Sequence, residues 1–570
     1  MFKKLIYGKL FALSLTSLFF TLPQNLEAQS TWSAVHAILQ TNCGSSSCHD
    51  PGTPIPLTLI GTESDIYNNL VNVAPDNPDA VASGYMQVDP GHPHLSFLLK
   101  KMNNGLDPDN GLDNVAQGGP MPKGAPGLSD SDIDLISAWI LHGAPQTGNV
   151  VDAQLINDFH AGGGLAPVAP IAAPDPSEGF QIHFGSVFIA PGAEREFFLK
   201  KKLPNVSQAM EITRLETYID LESHHYILYK FDSQADADAV PQGLREVTGI
   251  TEAFVNGTSM VAAWQNASDI ILPEGTAYFW DPGTTLDLNL HIRNYSPDSI
   301  LKAEVYTNVY LQPKQTSTIE MISDLSLFST LPLDFVPCGA NPFCIPNDGQ
   351  DHTFTGDITG ANLSSGGADS LYVWLLSSHT HKFGVGYDIY LRNPGGGKGQ
   401  QVYDGNYNFE YTFDQGFYDF EDPAVRFFDP DTFVVNANDG FIHEATFNNN
   451  GNQDVGFGIT TSDEMMLVFF QYTTSRPTIV GVKEQVKQSN LTVYPNPAIG
   501  DMPISFVRSN ASNEDYIALY DLLGKEVLVQ KFPNGSKQLF LDRSSLNAGV
   551  YMYKAWSLEG NAASGKLIIY

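Results

Sequence analysis

The chain changes its hydrophobic period once, near residue 179. Between residues 31 and 150 the apolar positions fall at helical spacing. Trp32-Ser33-Ala34-Val35-His36-Ala37-Ile38-Leu39 predicts one helix. Ser129 caps another, with Asp132 three residues on, Ile133, Ile136, Trp139 and Ile140 as its stripe and Gly143 as its stop. Beyond residue 179, short runs alternate apolar and polar residues between frequent turns, the pattern of β-sandwiches. A break near Pro313–Thr318 predicts two of them. Ahead of them, Ala161-Gly162-Gly163-Gly164 and the prolines from Pro167 to Pro176 form a tether. The last stretch alternates again, through Leu491-Thr492-Val493-Tyr494, Ile517-Ala518-Leu519-Tyr520 and Gly565-Lys566-Leu567-Ile568-Ile569-Tyr570. At the front, Lys3, Lys4 and Lys9 punctuate an apolar run from Leu5 to Leu22, and Leu26-Glu27-Ala28 offers a cleavage site. That is a secretory signal. No later segment has the ~18 continuous apolar residues that a span needs.

These signals predict a multidomain chain. Its parts are a signal peptide (1–28), a small all-α domain (29–147), a Gly/Pro-rich linker (148–178), two mainly-β sandwiches (179–315 and 316–483) and a small β-sandwich (484–570). Composition narrows the function. The 63 acidic residues outnumber 30 basic ones, for a net charge of −33. Nucleic acid is excluded as a partner, because phosphate contacts need clustered Lys and Arg. Only 16% of residues are charged while 11% are aromatic, which marks a folded chain rather than an acidic disordered one. Four cysteines exclude a scaffold built on disulfides.

Two of those cysteines lie in Cys43-Gly44-Ser45-Ser46-Ser47-Cys48-His49. Thiols followed at once by histidine suit covalent haem attachment, with His49 reaching the iron. Met121, in the loop Gly118-Gly119-Pro120-Met121-Pro122, offers a thioether as sixth ligand, and Met102 is its rival. A Cys43–Cys48 disulfide beside an ordinary histidine is the bland alternative. With Met121-Pro122 and the closing Trp139-Ile140-x-x-Gly143-Ala144, the segment resembles a small class of cytochrome c domain found in secreted multidomain proteins. The resemblance implies one c-type haem held by Cys43, Cys48, His49 and Met121. One departure is the gap between the thiols, four residues where two are usual.

The histidines of the sandwiches carry the other chemistry. Glu216 to Ser223 leads to His224-His225. Neighbours on a regular strand face opposite ways, so both meet one ion only at a strand end or a bulge. His291 shares the polar parity of its strand with Asp287, Asn289 and Arg293, away from the core. His379 and His381 share one face, ~7 Å apart along the strand, as a convergent pair. Met465 and Met466 open a strand apolar on both faces, and parity does not choose between them. Singly, each histidine reads as a surface or hydrogen-bonded residue. Two histidines with a thioether favour copper. His183, His352 and His443 read as surface residues.

His-His, then a strand His, then His-x-His, then Ser-Asp-Glu-Met resembles, in that order, the copper type II, ascorbate-dependent monooxygenases, the peptidylglycine α-hydroxylating and dopamine β-monooxygenase family. The resemblance spans about residues 179–483 and implies two jelly-roll-like sandwiches and two copper ions. His224, His225 and His291 match the electron-relay copper. His379, His381 and Met465 match the oxygen-binding copper, which does the catalysis, with a solvent-filled cleft between the two. The implied reaction inserts one oxygen atom of O2 into an activated C–H bond of a small organic or peptide substrate. Electrons come from an ascorbate-like reductant or redox protein, here through the fused haem. Most of the family's disulfides are missing. Cys338 and Cys344 remain, to close a small loop, with a thiolate copper ligand as the rival reading. A surface electron-transfer or copper-binding protein without oxygenase activity is the alternative function, and an adhesin-like module with vestigial sites is a third. Finally, Tyr494-Pro495-Asn496-Pro497 and Asn547-Ala548-Gly549-Val550-Tyr551 resemble the C-terminal sorting domain of type IX secretion. That implies the type IX machinery as a partner and a location outside the cell or on the outer-membrane surface, reached through the periplasm.

Overall fold

The computed structural model describes residues 30–44, 48–52, 56–107, 110–203, 208–219, 223–248, 257–264, 268–327, 338, 343–360, 363–405, 420, 423–477, 491–494, 496, 498, 504–508, 515–520, 525–533, 536–541, 546–547, 549–557 and 562–569. The signal segment 1–28 and Ser45–Ser47 lie outside them. The chain forms two compact units, a helical one through Leu165 and a β-rich one after it.

In the helical unit, the described helices are α1 (Thr31–Cys43), α2 (Glu63–Leu70), α3 (Pro78–Ala82), α4 (Phe97–Met102), α5 (Asp130–Leu141) and α6 (Ala153–Asp158). Local chemistry sets their ends. The side chain of Ser129 accepts from the Asp132 N–H as expected, Ser30 accepts from Ser33, and Thr62 with Asp65 completes a capping box on α2. Gly143 sits at φ +85°, a left-handed stop that a side chain would strain. Trp32 of α1 stacks on Trp139 of α5 at 5.0 Å, and both indoles are fully buried with Val35, Leu39, Ile66, Leu99 and Ile136. Truncating either indole to Ala would cost about 3–5 kcal/mol.

The β-rich unit begins with β1 (Gly179–Ile189), β2 (Glu194–Lys202), β3 (Met210–Ile219), β4 (Ser223–Phe231), β5 (Leu244–Glu246), β6 (Thr258–Trp264), β7 (Ser268–Ile271), β8 (Thr276–Trp280), β9 (Thr285–Arg293), β10 (Leu301–Pro313) and β11 (Ile319–Glu320). They make two sheets. One runs β1-β10-β3-β8-β11 with β7 beside β3, and the other β5-β2-β9-β4-β6. Leu286, Leu288, Leu290 and Ile292 put one parity of β9 in the core, each at most 1% exposed. The chain leaves this pair of sheets at Met321, between β11 and β12.

A second pair follows, from β12 (Ile322–Leu327), β13 (Cys344–Ile345), β14 (Asp351–Ile358), β15 (Ser370–His379), β16 (Gly384–Arg392), β17 (Lys398–Asp404), β18 (Val425–Phe427), β19 (Val434–Asn436), β20 (Phe441–Asn448), β21 (Val455–Gly456) and β22 (Leu467–Thr473). One sheet runs β12-β22-β15-β18 with β19 beside β15, and the other β14-β20-β16-β17. Buried polar groups join this sandwich to the first. Gln471 Nε2 donates to Tyr278 Oη at 2.6 Å and Ser323 Oγ donates to the Val261 carbonyl at 2.6 Å. Cys338 and Cys344 form a disulfide, which sets aside a thiolate metal ligand. The C-terminal stretch adds a three-stranded and a four-stranded sheet over a core of Phe506, Ile517, Leu519, Leu567 and Ile569.

Two expectations about histidines fail. His183 is stacked on Tyr306 at 4.4 Å, and His443 is fully buried with its Nδ1 hydrogen-bonded to the Tyr387 hydroxyl at 2.6 Å. Neither is a surface residue. His352 does reach solvent, beside Asp348. The polar parity of β9 is likewise not a solvent face, since Asp287, Asn289 and His291 are each at most 2% exposed.

Candidate metal centre

A bulge puts His224 and His225 on one side. Strand β4 pairs with β9 in the register His225↔His291, and the ladder slips between Ser223 and His225, so His224 is the extra residue. Its ring lies 5.6 Å from that of His225 and 4.7 Å from that of His291. In the second sandwich, His379 ends β15 and His381 follows it, their rings 5.2 Å apart. The two groups, expected on either side of a cleft, form one cluster. The His224 ring lies 5.1 Å from His379 and 4.9 Å from His381, and the His225 ring 6.0 Å from His379. One ligand atom each from His224, His225 and His379 fit within 4.8 Å of one another.

Hydrogen bonds to the outer nitrogens fix the tautomers. His291 Nε2 donates to Glu194 Oε1 at 2.9 Å, leaving a buried Nδ1 without a hydrogen-bond partner. Asn289 Nδ2 donates to Glu196 Oε1 at 2.9 Å, which turns its Oδ1 toward His225 Nε2, also at 2.9 Å. The lone pair of His225 is therefore on Nδ1. His381 Nδ1 donates to the Asp463 carbonyl at 3.1 Å, and its Nε2 is buried without a partner, as is His224 Nε2. Carboxylate or carbonyl partners behind an imidazole are the usual support of a metal ligand.

The electrostatics agree. Burial, then the neighbouring imidazoles, hold His224 and His379 well below the ordinary histidine range and His381 down to about 3. These rings stay neutral, the form that binds metal. For Glu194, burial acts upward, but its bonds to His291 and Thr461 prevail and hold it at about 2. Glu464 holds the turn after His379. Its Oε2 accepts from the N–H of His381 at 2.9 Å and of Met465 at 3.3 Å, and its Oε1 from that of Phe383 at 2.7 Å. Burial pushes Glu464 up to about 8 against those bonds. Met466 packs in the second sandwich's core, whereas Met465 shares the Glu464 oxygen that holds His381. Sequence reasoning missed Glu194, Glu196, Thr461 and Glu464. Glu194 and Glu196 share a strand parity, but nothing local pairs β2 with β9.

Buried nitrogens of His224, His291 and His381 without partners, neutral rings at His224, His379 and His381, and outer support from a carboxylate, an amide and a backbone carbonyl fit an imidazole-seeking metal such as copper. In the helical unit, His49 Nδ1 donates to the Leu57 carbonyl at 2.8 Å, which puts the ring's lone pair on Nε2. Cys43 and Cys48 are not joined to each other. Burial, then the charge of Cys48, pushes the Cys43 thiol up to about 11. The Met121 N–H is bonded to the Lys101 carbonyl at 2.7 Å, and Lys101 Nζ gathers the Gln117 and Gly119 carbonyls at 2.5 and 3.0 Å. Met102, in contrast, is 1% exposed in the apolar core. Of the two methionines, the half-buried Met121 is the one outside the apolar core.

These sheets and the tail define the chain as a multidomain, β-rich exported protein. Residues 492–570 match the family described as the secretion system C-terminal sorting domain. This tail marks the chain for the cell surface or beyond through the type IX machinery, with which it interacts. No helix among the described residues is long and apolar enough to cross a membrane. No curated protein matches the chain. Among solved structures it is similar to PorZ, a bacterial surface component of the type-IX secretion system of Porphyromonas gingivalis, at 12% identity over 18% of this chain and 14% of that one, TM-score 0.13. It is also similar to a DUF3244-family protein with an immunoglobulin-like β-sandwich from Bacteroides vulgatus, at 13% identity over 14% and 85% of the two chains, TM-score 0.13. A third is β-glucuronidase from Ruminococcus gnavus, at 10% identity over 38% and 35%, TM-score 0.18. The chain thus spans 14% of the length of the first of these structures.

Proposed function

We propose that this is an exported copper-dependent monooxygenase that hydroxylates an activated C–H bond of an organic or peptide substrate, with electrons passing through a c-type haem in its helical unit. One oxygen atom of O2 enters the C–H bond. The other leaves as water, with two protons and two electrons from an ascorbate-like reductant or a redox protein. The convergence of the His224, His225, His291, His379 and His381 rings, with buried nitrogens of His224, His291 and His381 left without a hydrogen-bond partner, supports this reading. Copper bound there supplies one-electron chemistry toward O2. The protein's own part is to keep the imidazoles of His224, His379 and His381 neutral by burial and to hold the outer N–H groups of His291, His225 and His381 on Glu194, Asn289 and the Asp463 carbonyl. His49 and Met121 would hold the haem iron, and Cys43 and Cys48 its porphyrin.

Metal analysis of protein loaded with copper and haem tests the reading. One haem and two coppers per chain are expected, and fewer than two coppers overturns it. His381→Ala should abolish O2 consumption while leaving the haem spectrum intact. Copper uptake with no O2 consumption for any organic or peptide substrate would instead mark a copper-binding or electron-transfer protein.

A further inference from the structure

His224 is the hub of the cluster. Its ring lies 4.7 Å from His291, 5.6 Å from His225, 5.1 Å from His379 and 4.9 Å from His381, so all four other imidazoles are its neighbours. Its Nε2 is buried without a hydrogen-bond partner. Ring distances across the sandwiches (4.9, 5.1 and 6.0 Å) overlap those within them (4.7, 5.1, 5.6 and 5.2 Å), so distance does not divide the histidines by sandwich. The three residues whose donor atoms crowd within 4.8 Å are His224 and His225 from the first sandwich and His379 from the second.

The link between the sandwiches at this point is built rather than incidental. Oε1 of Glu194, on β2 of the first sandwich, accepts from His291 Nε2 at 2.9 Å. The same oxygen accepts from the Thr461 N–H at 2.7 Å and its hydroxyl at 2.6 Å. Thr461 opens the 461–464 turn, whose Asp463 carbonyl holds His381 Nδ1 and whose Glu464 carboxyl holds the His381 N–H. One carboxylate thus ties a histidine of the first sandwich to the segment that positions a histidine of the second.

We propose that the tightest metal site of this protein is a mixed one, made by His224 and His225 together with His379, so that the first copper cross-links the two sandwiches and the five histidines act as a single centre. This rests on the copper-binding reading above and changes its layout. Two independent sites would have separate ligand sets, and removing a ligand from one would leave the other at full strength. In a mixed site, His225 and His379 serve the same ion.

The test titrates metal-free protein with Cu(II) and follows the bound ion by EPR. His225→Gln and His379→Gln, which keep a polar side chain of similar reach, should each weaken the first equivalent by at least ~10-fold. Either variant retaining one equivalent at wild-type affinity overturns the proposal. A second measurement needs no substitution. In fully loaded wild type, two Cu(II) ions confined to this cluster couple magnetically, so the integrated spin falls short of the copper content. Two uncoupled spins per chain overturn the mixed centre while leaving the two-copper monooxygenase standing. Absence of copper uptake by wild type overturns both.

Discussion

Asn289 decides which nitrogen of His225 is left for a metal. Its amide N–H groups point at Glu196 Oε1 and the Phe197 carbonyl, so its oxygen faces His225 Nε2. Asn289→Leu removes that orientation and leaves Glu196 and His225 short of a partner. We expect copper affinity to fall about 10–100-fold and unfolding stability by about 1–3 kcal/mol, read by Cu(II) titration and denaturant unfolding. An unchanged affinity would show that the tautomer is set elsewhere. His443 gives a second residue-scale prediction, away from the cluster. Burial holds it at about 3, below its unfolded value near 6.5. A depressed histidine contributes stability that is present above the unfolded pKa and is lost as pH falls through the interval toward the folded one. Between pH 7 and 5, wild type should therefore lose about 2 kcal/mol more than His443→Phe. Equal losses would contradict it. His443 was misread as a surface residue because the space it occupies belongs to another strand. Gly356 pairs with it across β14 and β20, and a Cβ there would lie 2.3 Å from Nε2.

At the scale of elements, local rules were legible and partner strands were not. That His224-His225 needs a strand end or a bulge follows from period-two geometry alone, and the ladder slips at that place. The pairing of His379 with His381 was expected from strand period, but β15 ends at His379, and the rings come to 5.2 Å as the chain leaves the strand. The polar parity of β9 was visible too, but not its burial, because Arg245, which pairs with Asp287, and Glu196, which pairs with Asn289, come from segments tens of residues away. Glu464 is the element-scale device that could not be read. It satisfies the N–H groups of His381 and Phe383 at the end of β15, where no strand continues the ladder. Glu464→Ala leaves the backbone donors of His381, Phe383 and Met465 unpaired, a loss of about 3 kcal/mol or more, and should lower copper affinity. Glu464→Gln keeps an acceptor oxygen and should fall between Ala and wild type in both thermal melting and Cu(II) titration. An Ala variant that melts like wild type would show that water replaces the carboxyl.

At the scale of the whole molecule, the sequence order of the histidines suggested two groups, and only long-range sheet packing shows that they meet. Gln471, Tyr278, Ser323 and the Val261 carbonyl form a buried network that joins the sandwiches, and no periodicity along one strand encodes that contact. The tail is the opposite case. Its signal is carried by short local runs, and those runs coincide with the matched sorting domain. The tail's sheets close over their own core of Phe506, Ile517, Leu519 and Leu567, so its removal exposes no apolar face of the histidine sandwiches through those residues. Deleting residues 492–570 should therefore leave a folded, copper-binding protein that stops in the periplasm. Cell fractionation with Cu(II) titration of the retained protein checks both halves of this expectation. A truncated chain that still reaches the surface would show that its address lies elsewhere. Loss of copper binding together with export would show that the tail supports the sandwiches as well as sorting them.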